Sequence, residues 1–275
     1  MAFRLSPHLT VMANAAQKAS KRLLRDFAEV EQLQVSVKGP SDFVSQADMR
    51  AEQTLKEELN KARPGYAFLM EESGASGSDN WSWRWVVDPL DGTTNFLHGM
   101  PHWAISIGLE RRLPDGTSEV QAGLVYAPAV DEMFWAEKGT GAFVNERRLR
   151  VSARREISEA VFATGIPFGA VAASRRQSFS RTLSLLMPHV AGIRRFGSAA
   201  LDLAWVAHGR FDGYWELGIK PWDICAGVIL VKEAGGYVTD VGDGDPLTTS
   251  NIVAGNPHLH AKLREAVAEG MVRAA

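Results

Sequence analysis

The 275-residue sequence contains one cysteine, Cys225. A single thiol excludes an intramolecular disulfide and any CxxC redox or zinc site. A reducing compartment is therefore expected, with the cytoplasm as the expected location. Basic excess is missing too: 30 Lys and Arg face 32 Asp and Glu, a formal net charge of −2. No overall positive field steers nucleic acid to the chain, although a local patch stays open. No apolar run approaches the roughly 18 residues of a membrane span, so no membrane association is expected. The segment 1–27 lacks an uninterrupted apolar stretch, and no secretory signal is expected. Seven histidines are scattered without metal-ligand spacing. Internal repeats and low-complexity tracts are absent.

What remains is ordinary for a globular protein: 45% hydrophobic, 23% charged and 9% aromatic residues. The length permits one large domain or two modest ones, with roughly three quarters of the unfolded surface buried. Leu9, Met12, Ala16, Leu23, Phe27 and Val30 recur at helical spacing, predicting an amphipathic helix from 7 to about 31. A second helix is expected over 46–62, ended by Pro64-Gly65. Strands are expected at 66–70 and 84–87, the latter stopped by Asp88-Pro89. Further strands at 103–109, 120–126, 132–135 and 142–144 are separated by turns such as Pro114-Asp115-Gly116 and Gly139-Thr140-Gly141.

Consecutive strands with short turns predict an antiparallel sheet flanked by the two helices. Beyond about residue 151, strands (161–164, 192–196, 211–217, 252–254) alternate with helices (176–187, 198–206, 221–234 and from 257 onward). That alternation predicts a second, more parallel sheet. The expected fold is α+β, a layered αβαβα sandwich. It divides into an N-terminal subdomain over 1–150 and a C-terminal one over 151–275.

The most informative stretch is Trp85-Val86-Val87-Asp88-Pro89-Leu90-Asp91-Gly92-Thr93-Thr94-Asn95. Two aspartates three apart end an apolar strand, and Pro89 fixes the turn between them. Both carboxylates and the Leu90 carbonyl can then aim at a common point. Gly92-Thr93-Thr94 can open a helix whose free N–H groups face the same region. Hard oxygen ligands beside such a helix end suit a magnesium ion bridging protein to phosphate. The same residues also suit a plain capped turn, since Asp-Pro and Asp-Gly pairs punctuate loops generally. Alternatives stay open elsewhere as well: Glu71-Glu72 reads as a solvated loop, Asp223 as a helix-dipole partner, Asp48 as a solvated first-turn residue.

Four motifs in order narrow these alternatives. Asp42-Phe43-Val44-Ser45-Gln46-Ala47-Asp48, Glu71-Glu72-Ser73, Asp88 to Asn95, and Trp222-Asp223-Ile224-Cys225-Ala226-Gly227 together resemble the inositol monophosphatase family of magnesium-dependent, lithium-sensitive phosphatases. Gly139-Thr140-Gly141-Ala142-Phe143 and the stretch from Arg195 to Asp202 fit the same pattern, so the resemblance runs from about residue 10 to 265.

By that resemblance, Glu71, Asp88 and the Leu90 carbonyl hold one magnesium ion. Asp88, Asp91 and Asp223 hold a second, and a weaker third lies against Glu71 through water. Clustered carboxylates repel and raise one another's pKa unless cations sit among them, which agrees with this reading. The resemblance implies a water nucleophile activated near Glu71 and Thr93, with Asp48 bonded to the Thr93 hydroxyl and no phosphoenzyme. It places the phosphate on the N–H groups of Gly92 and Thr93. Asp91, Asp223, Gly197, Ser198, Ala199 and Glu216 would face the hydroxyls of a polyol monophosphate. Lys38 matches a lysine on the family's mobile loop, and a homodimer is expected.

The implied reaction is hydrolysis of inositol-1-phosphate to inositol and phosphate. Histidinol phosphate is an alternative substrate, and a cationic one would favour additional acids. Fructose-1,6-bisphosphate or a nucleotide 3′-phosphate would need a further basic pocket, which the sequence does not reveal. A different class of reading is an RNA- or partner-binding regulatory protein that keeps the fold, for which Arg194-Arg195 is the contact to test. The segments 73–83 and 165–177 depart from common family versions, and either could reshape the pocket mouth.

Overall fold

The computed structural model describes residues 5–30, 35–39, 42–167 and 172–271; the side chains of 31–45 and 168–174 lie outside the description. Helix α1 (Pro7–Ala28) opens on Ser6, whose hydroxyl oxygen accepts from Leu9 N–H at 3.2 Å. Pro7 takes the first helical position, where no N–H is needed. Leu9, Met12, Ala16, Ala19 and Leu23 form its buried stripe. An antiparallel hairpin, β1 (Val35–Gly39) and β2 (Asp42–Ser45), then leads into α2 (Gln46–Ala62). That hairpin is absent from the sequence reading, whereas α2 has the expected bounds.

The larger sheet is built from consecutive segments. These are β3 (Ala67–Met70), β4 (Gly74–Ser76) and β5 (Trp83–Asp91), then, after α3 (Thr93–Leu97), β6 (Ala104–Arg112) and β7 (Ser118–Ala127). β8 (Glu132–Glu137), β9 (Gly141–Val144) and β10 (Arg147–Arg148) complete it. The spatial order is β10-β9-β8-β7-β6-β5-β3-β4. All pairs are antiparallel except β3 with β5. β4 folds back along the outer edge of β3, so the chain re-enters on the other side running parallel to β3.

The second half contributes β11 (Val161–Thr164), α4 (Ala172–Leu186), β12 (Gly192–Arg194), α5 (Ala199–Ala207) and β13 (Gly213–Leu217). It continues through α6 (Pro221–Glu233), β14 (Tyr237–Thr239), α7 (Pro246–Thr249), β15 (Asn251–Gly255) and α8 (His260–Met271). These strands order as β12-β11-β13-β15-β14. β12, β11 and β13 run parallel, as helical crossovers require, while β15 is antiparallel to both β13 and β14.

Five layers result. α1 and α2 pack on each other and on one face of the larger sheet; α5 and α6 fill the space between the sheets. α4 and α8 pair, and α8 packs on β13 and β15. This is the αβαβα sandwich expected. Its middle layer sits close because Gly108 and Gly123 are directly paired across β6 and β7. A Cβ on Gly108 would overlap Cys225 Sγ, and one on Gly123 would stand 2.8 Å from Ala226 Cα. The bare backbone of two strands is thus the seat of α6, the helix that carries Asp223.

Candidate active site

β5 does not stop at Asp88; it runs on to Asp91 with a register break. Asp88 pairs with Ser106 and Asp91 with Ala104, so β5 advances three residues while β6 advances two. In a regular strand, residues three apart point to opposite faces. The extra residue of this bulge turns Asp88 and Asp91 to the same face, and Pro89 is tolerated because the ladder is interrupted there. The proline that reads as a strand stop marks a bulge.

Asp88 is buried, and its Oδ1 accepts from Leu90 N–H at 2.9 Å. Asp91 Oδ2 accepts from Ser198 Oγ and from Ala200 N–H, each at 2.7 Å. Gly92 follows at φ +95°, a conformation that favours glycine, and caps α3. The Thr93 hydroxyl donates to the Leu90 carbonyl at 3.1 Å. From α3, Asn95 Nδ2 donates to the carbonyls of His102 at 2.7 Å and Phe196 at 2.8 Å, tying the end of β5 to the turn before α5.

The other acids arrive from three elements. Glu71 follows β3 directly, and the Glu72 N–H donates to Glu52 Oε2 of α2 at 2.8 Å, which fixes that turn. Asp223 lies in the first turn of α6, its Oδ2 accepting from Lys220 N–H at 3.0 Å. Glu216 on β13 accepts from the Tyr214 hydroxyl, two residues back on the same face. Gly165 leaves room for the Glu216 carboxyl group, which a Cβ there would overlap.

One cavity brings these groups together. Glu71, Asp88, Leu90, Asp91, Gly92 and Thr93 line it from the larger sheet. Gly197, Ser198, Ala199, Glu216 and Asp223 close it from the second half. Asp48 does not line it; the residue is buried in the first turn of α2. Lys38 is on β1, but its side chain lies outside the described residues. Arg195, weighed from sequence as a contact for a partner or a substrate phosphate, also lines the cavity, as do Gly165, Asp202 and Ile219, which the sequence does not single out. The available signal for Asp202 was its spacing from Ser198: four residues on, one helical turn away.

Electrostatically the cavity wants a cation. Burial, followed by the charges of Glu71, Asp91 and Asp223, pushes the Asp88 carboxyl well above its ordinary range. Burial, then Asp91 and Glu71, does the same to Asp223. Asp91 is raised to about 6 by burial, against the hydrogen bonds from Ser198 and Ala200. Burial likewise lifts Glu216 to about 7. The donors are all oxygens, the chemistry of magnesium or calcium and not of zinc or copper. Among the described residues no group of three or more His, Cys, Asp or Glu side chains is placed to hold a metal ion as it stands. The acids ring an open space, and the set fits a hard divalent ion.

A profile of the inositol monophosphatase family matches residues 5–271. An inositol-1-monophosphatase from Rhizobium meliloti (strain 1021) is 52% identical over 260 residues, 94% of this chain and 95% of its own. The Nus factor SuhB of Escherichia coli (strain K12) is 39% identical over 274 residues, 98% of this chain and all of its own (100%). Among solved structures, the extragenic suppressor protein SuhB from Bartonella henselae superposes with a TM-score of 0.89 at 50% identity, covering 96% of this chain and 100% of that one. The ring of acids is thus set in a fold shared with these proteins over nearly its whole length. The chain belongs to the inositol monophosphatase family, phosphoric monoester hydrolases that are generally magnesium-dependent.

Proposed function

We propose that this protein hydrolyses the phosphate monoester of a polyol, with inositol-1-phosphate as the leading substrate. The observation that carries the reading is the bulge in β5. It turns Asp88 and Asp91 toward a cavity that Glu71 and Asp223 also line. Glu71, Asp88, the Leu90 carbonyl, Asp91 and Asp223 would hold about two to three magnesium ions, which when bound neutralise phosphate charge and promote attack by water.

The protein's own groups do the positioning. Backbone N–H groups of Gly92 and Thr93 receive the phosphate oxygens, at a turn whose left-handed glycine exposes them. Thr93 and Glu71 orient the attacking water, with Asp48 behind them as a positioning residue. Asp91, Asp223, Glu216 and the segment Gly197-Ser198-Ala199 face the leaving group. Several acceptors and one nearby guanidinium, Arg195, suit a leaving group rich in hydroxyls. Water attacks in line, and no covalent phosphoenzyme forms.

Homodimer assembly and a cytoplasmic location are part of the same proposal; no helix of the described residues is long and apolar enough to cross a membrane. The test is phosphate release with Mg²⁺ from inositol-1-phosphate, histidinol phosphate, fructose-1,6-bisphosphate and adenosine 3′,5′-bisphosphate, each with and without Li⁺. Fast, lithium-sensitive turnover of inositol-1-phosphate supports the reading. Preference for another member overturns the substrate and keeps the acids. Silence across the panel, with Mg²⁺ still stabilising the fold, would favour a binding role.

A further inference from the structure

We propose that Glu52 is a positioning residue for the cation site: its carboxylate locks the turn after β3, so that Glu71 is aimed before a magnesium ion arrives. The inference rests on the reading of Glu71 as a magnesium ligand and extends it to an acid on another element. Glu71 begins a three-residue turn, 71–73, between β3 and β4, which Gly74 closes at φ +72°. The turn residues are Glu71, Glu72 and Ser73, so no apolar side chain packs it down. Two successive amides are tied instead. The Glu71 N–H donates to the Val87 carbonyl of β5 at 3.2 Å, beside Asp88. The Glu72 N–H donates to Glu52 Oε2 of α2 at 2.8 Å.

Those two bonds fix the peptide groups on both sides of the Glu71 Cα, and with them the direction of its side chain. That direction has to be held against a force. Glu71 lines the cavity with Asp88, Asp91 and Asp223, and its charge acts on both Asp88 and Asp223. Without a cation the acids repel one another, and a free turn would relieve the repulsion by swinging Glu71 away. Glu52 supplies the restraint. It lies on the buried face of α2, one turn beyond Asp48, and is only 5% exposed. Among the described residues it makes no ion pair, and its one hydrogen bond is to the Glu72 amide. An acid buried without a cation is costly, and such groups call for a functional explanation. Outer hydrogen bonds that orient a ligand tune metal affinity, because the ligand is ordered before the ion binds.

The experiment measures Mg²⁺ binding by titration calorimetry, without substrate, on the wild-type protein and on Glu52→Met, Glu52→Asp and Glu52→Gln. Thermal melts and phosphate release from inositol-1-phosphate are recorded on the same preparations. Methionine keeps the volume and removes the acceptor. Aspartate keeps the charge and loses the reach, whereas glutamine loses the charge and keeps an oxygen for the Glu72 N–H. The Kd for Mg²⁺ should rise about tenfold in the methionine and aspartate variants, and stay within about threefold of wild type in Glu52→Gln. At saturating Mg²⁺, kcat should recover to within about threefold of wild type in all of them, since the bound ion then holds Glu71. If only the methionine variant fails to fold, the comparison of aspartate with glutamine carries the test. An unchanged Kd in the methionine and aspartate variants would overturn the assignment, because the turn then holds itself. Equal weakening in all three would overturn it too, the charge and not the tether being at work. So would a loss of folding in both the methionine and aspartate variants, which would assign the bond to the fold. Wild-type protein that binds no Mg²⁺ would overturn the reading of Glu71 itself, a result separable from the behaviour of the variants.

Discussion

Ser198 Oγ donates to Asp91 Oδ2 at 2.7 Å across the space between the two sheets. The same serine caps α5, its oxygen accepting from Leu201 N–H at 3.4 Å. One hydroxyl therefore ends a helix of the second half and orients an acid of the first. The acids of the cavity are correctly aimed only when the halves are packed, and α6, seated on Gly108 and Gly123, adds Asp223 on the same condition.

Asp91→Asn should lose at least about a hundredfold in kcat/KM, the order expected when a charged group at the reacting centre is removed. The fold should survive, since an amide oxygen can still accept from Ser198 and Ala200. Phosphate release and a thermal melt on the same preparation check both halves of the prediction; near-wild-type turnover contradicts the role given to Asp91.

Ser198→Ala removes the helix cap and the tether on Asp91 together. Loss of a cap costs about 1 kcal/mol, which for a chain of this length lowers Tm by about 2–4 °C. Calorimetry should show that drop, with Ser198→Thr, which keeps the hydroxyl, close to wild type.

Gly165→Ala places a methyl group on the Glu216 carboxyl and should drive that side chain off the Tyr214 hydroxyl. Because Glu216 is long enough to swing away, the cost falls on recognition more than on folding. The KM for inositol-1-phosphate should rise about tenfold with Tm changed little. A large fall in Tm with KM preserved would show that Gly165 serves the backbone instead.

The pH dependence of stability follows from the same acids. Glu216 sits at about 7 in the folded chain, against an ordinary 4.5, because it is buried. Between those values the folded state binds more protons than the unfolded one, so stability falls as pH rises through the window. Asp88 and Asp223 are shifted in the same direction. Without divalent cations, Tm should therefore decline from about pH 5 to about pH 7.5, and Mg²⁺ should raise Tm more at the upper end. A Mg²⁺ effect independent of pH would contradict the electrostatic account.

Periodicity made α2 legible to the residue, and the alternation after 150 announced the parallel half of the second sheet. The failures are short-range ones. β4 is three residues long and the β1–β2 hairpin only slightly longer, too little for a pattern to rise above its turn residues. Asp88-Pro89 read as a strand end because a bulge and a stop share the same local signal, and only the β6 register separates them. The acids of the DPLDGTTN and WD motifs were visible because ordered motifs carry them. Gly165 was not, since its importance arises from what stands beside it in space, the Glu216 carboxyl. Glu52, which holds the Glu71-Glu72 turn from a neighbouring helix, was hidden for the same reason.

The most direct test of the central claim is phosphate release from inositol-1-phosphate as Mg²⁺ is titrated from zero and then withdrawn with EDTA. The account predicts no turnover without the ion, saturable activation by it, and full loss on chelation. Turnover that persists through chelation, or none at any Mg²⁺ concentration, would contradict it.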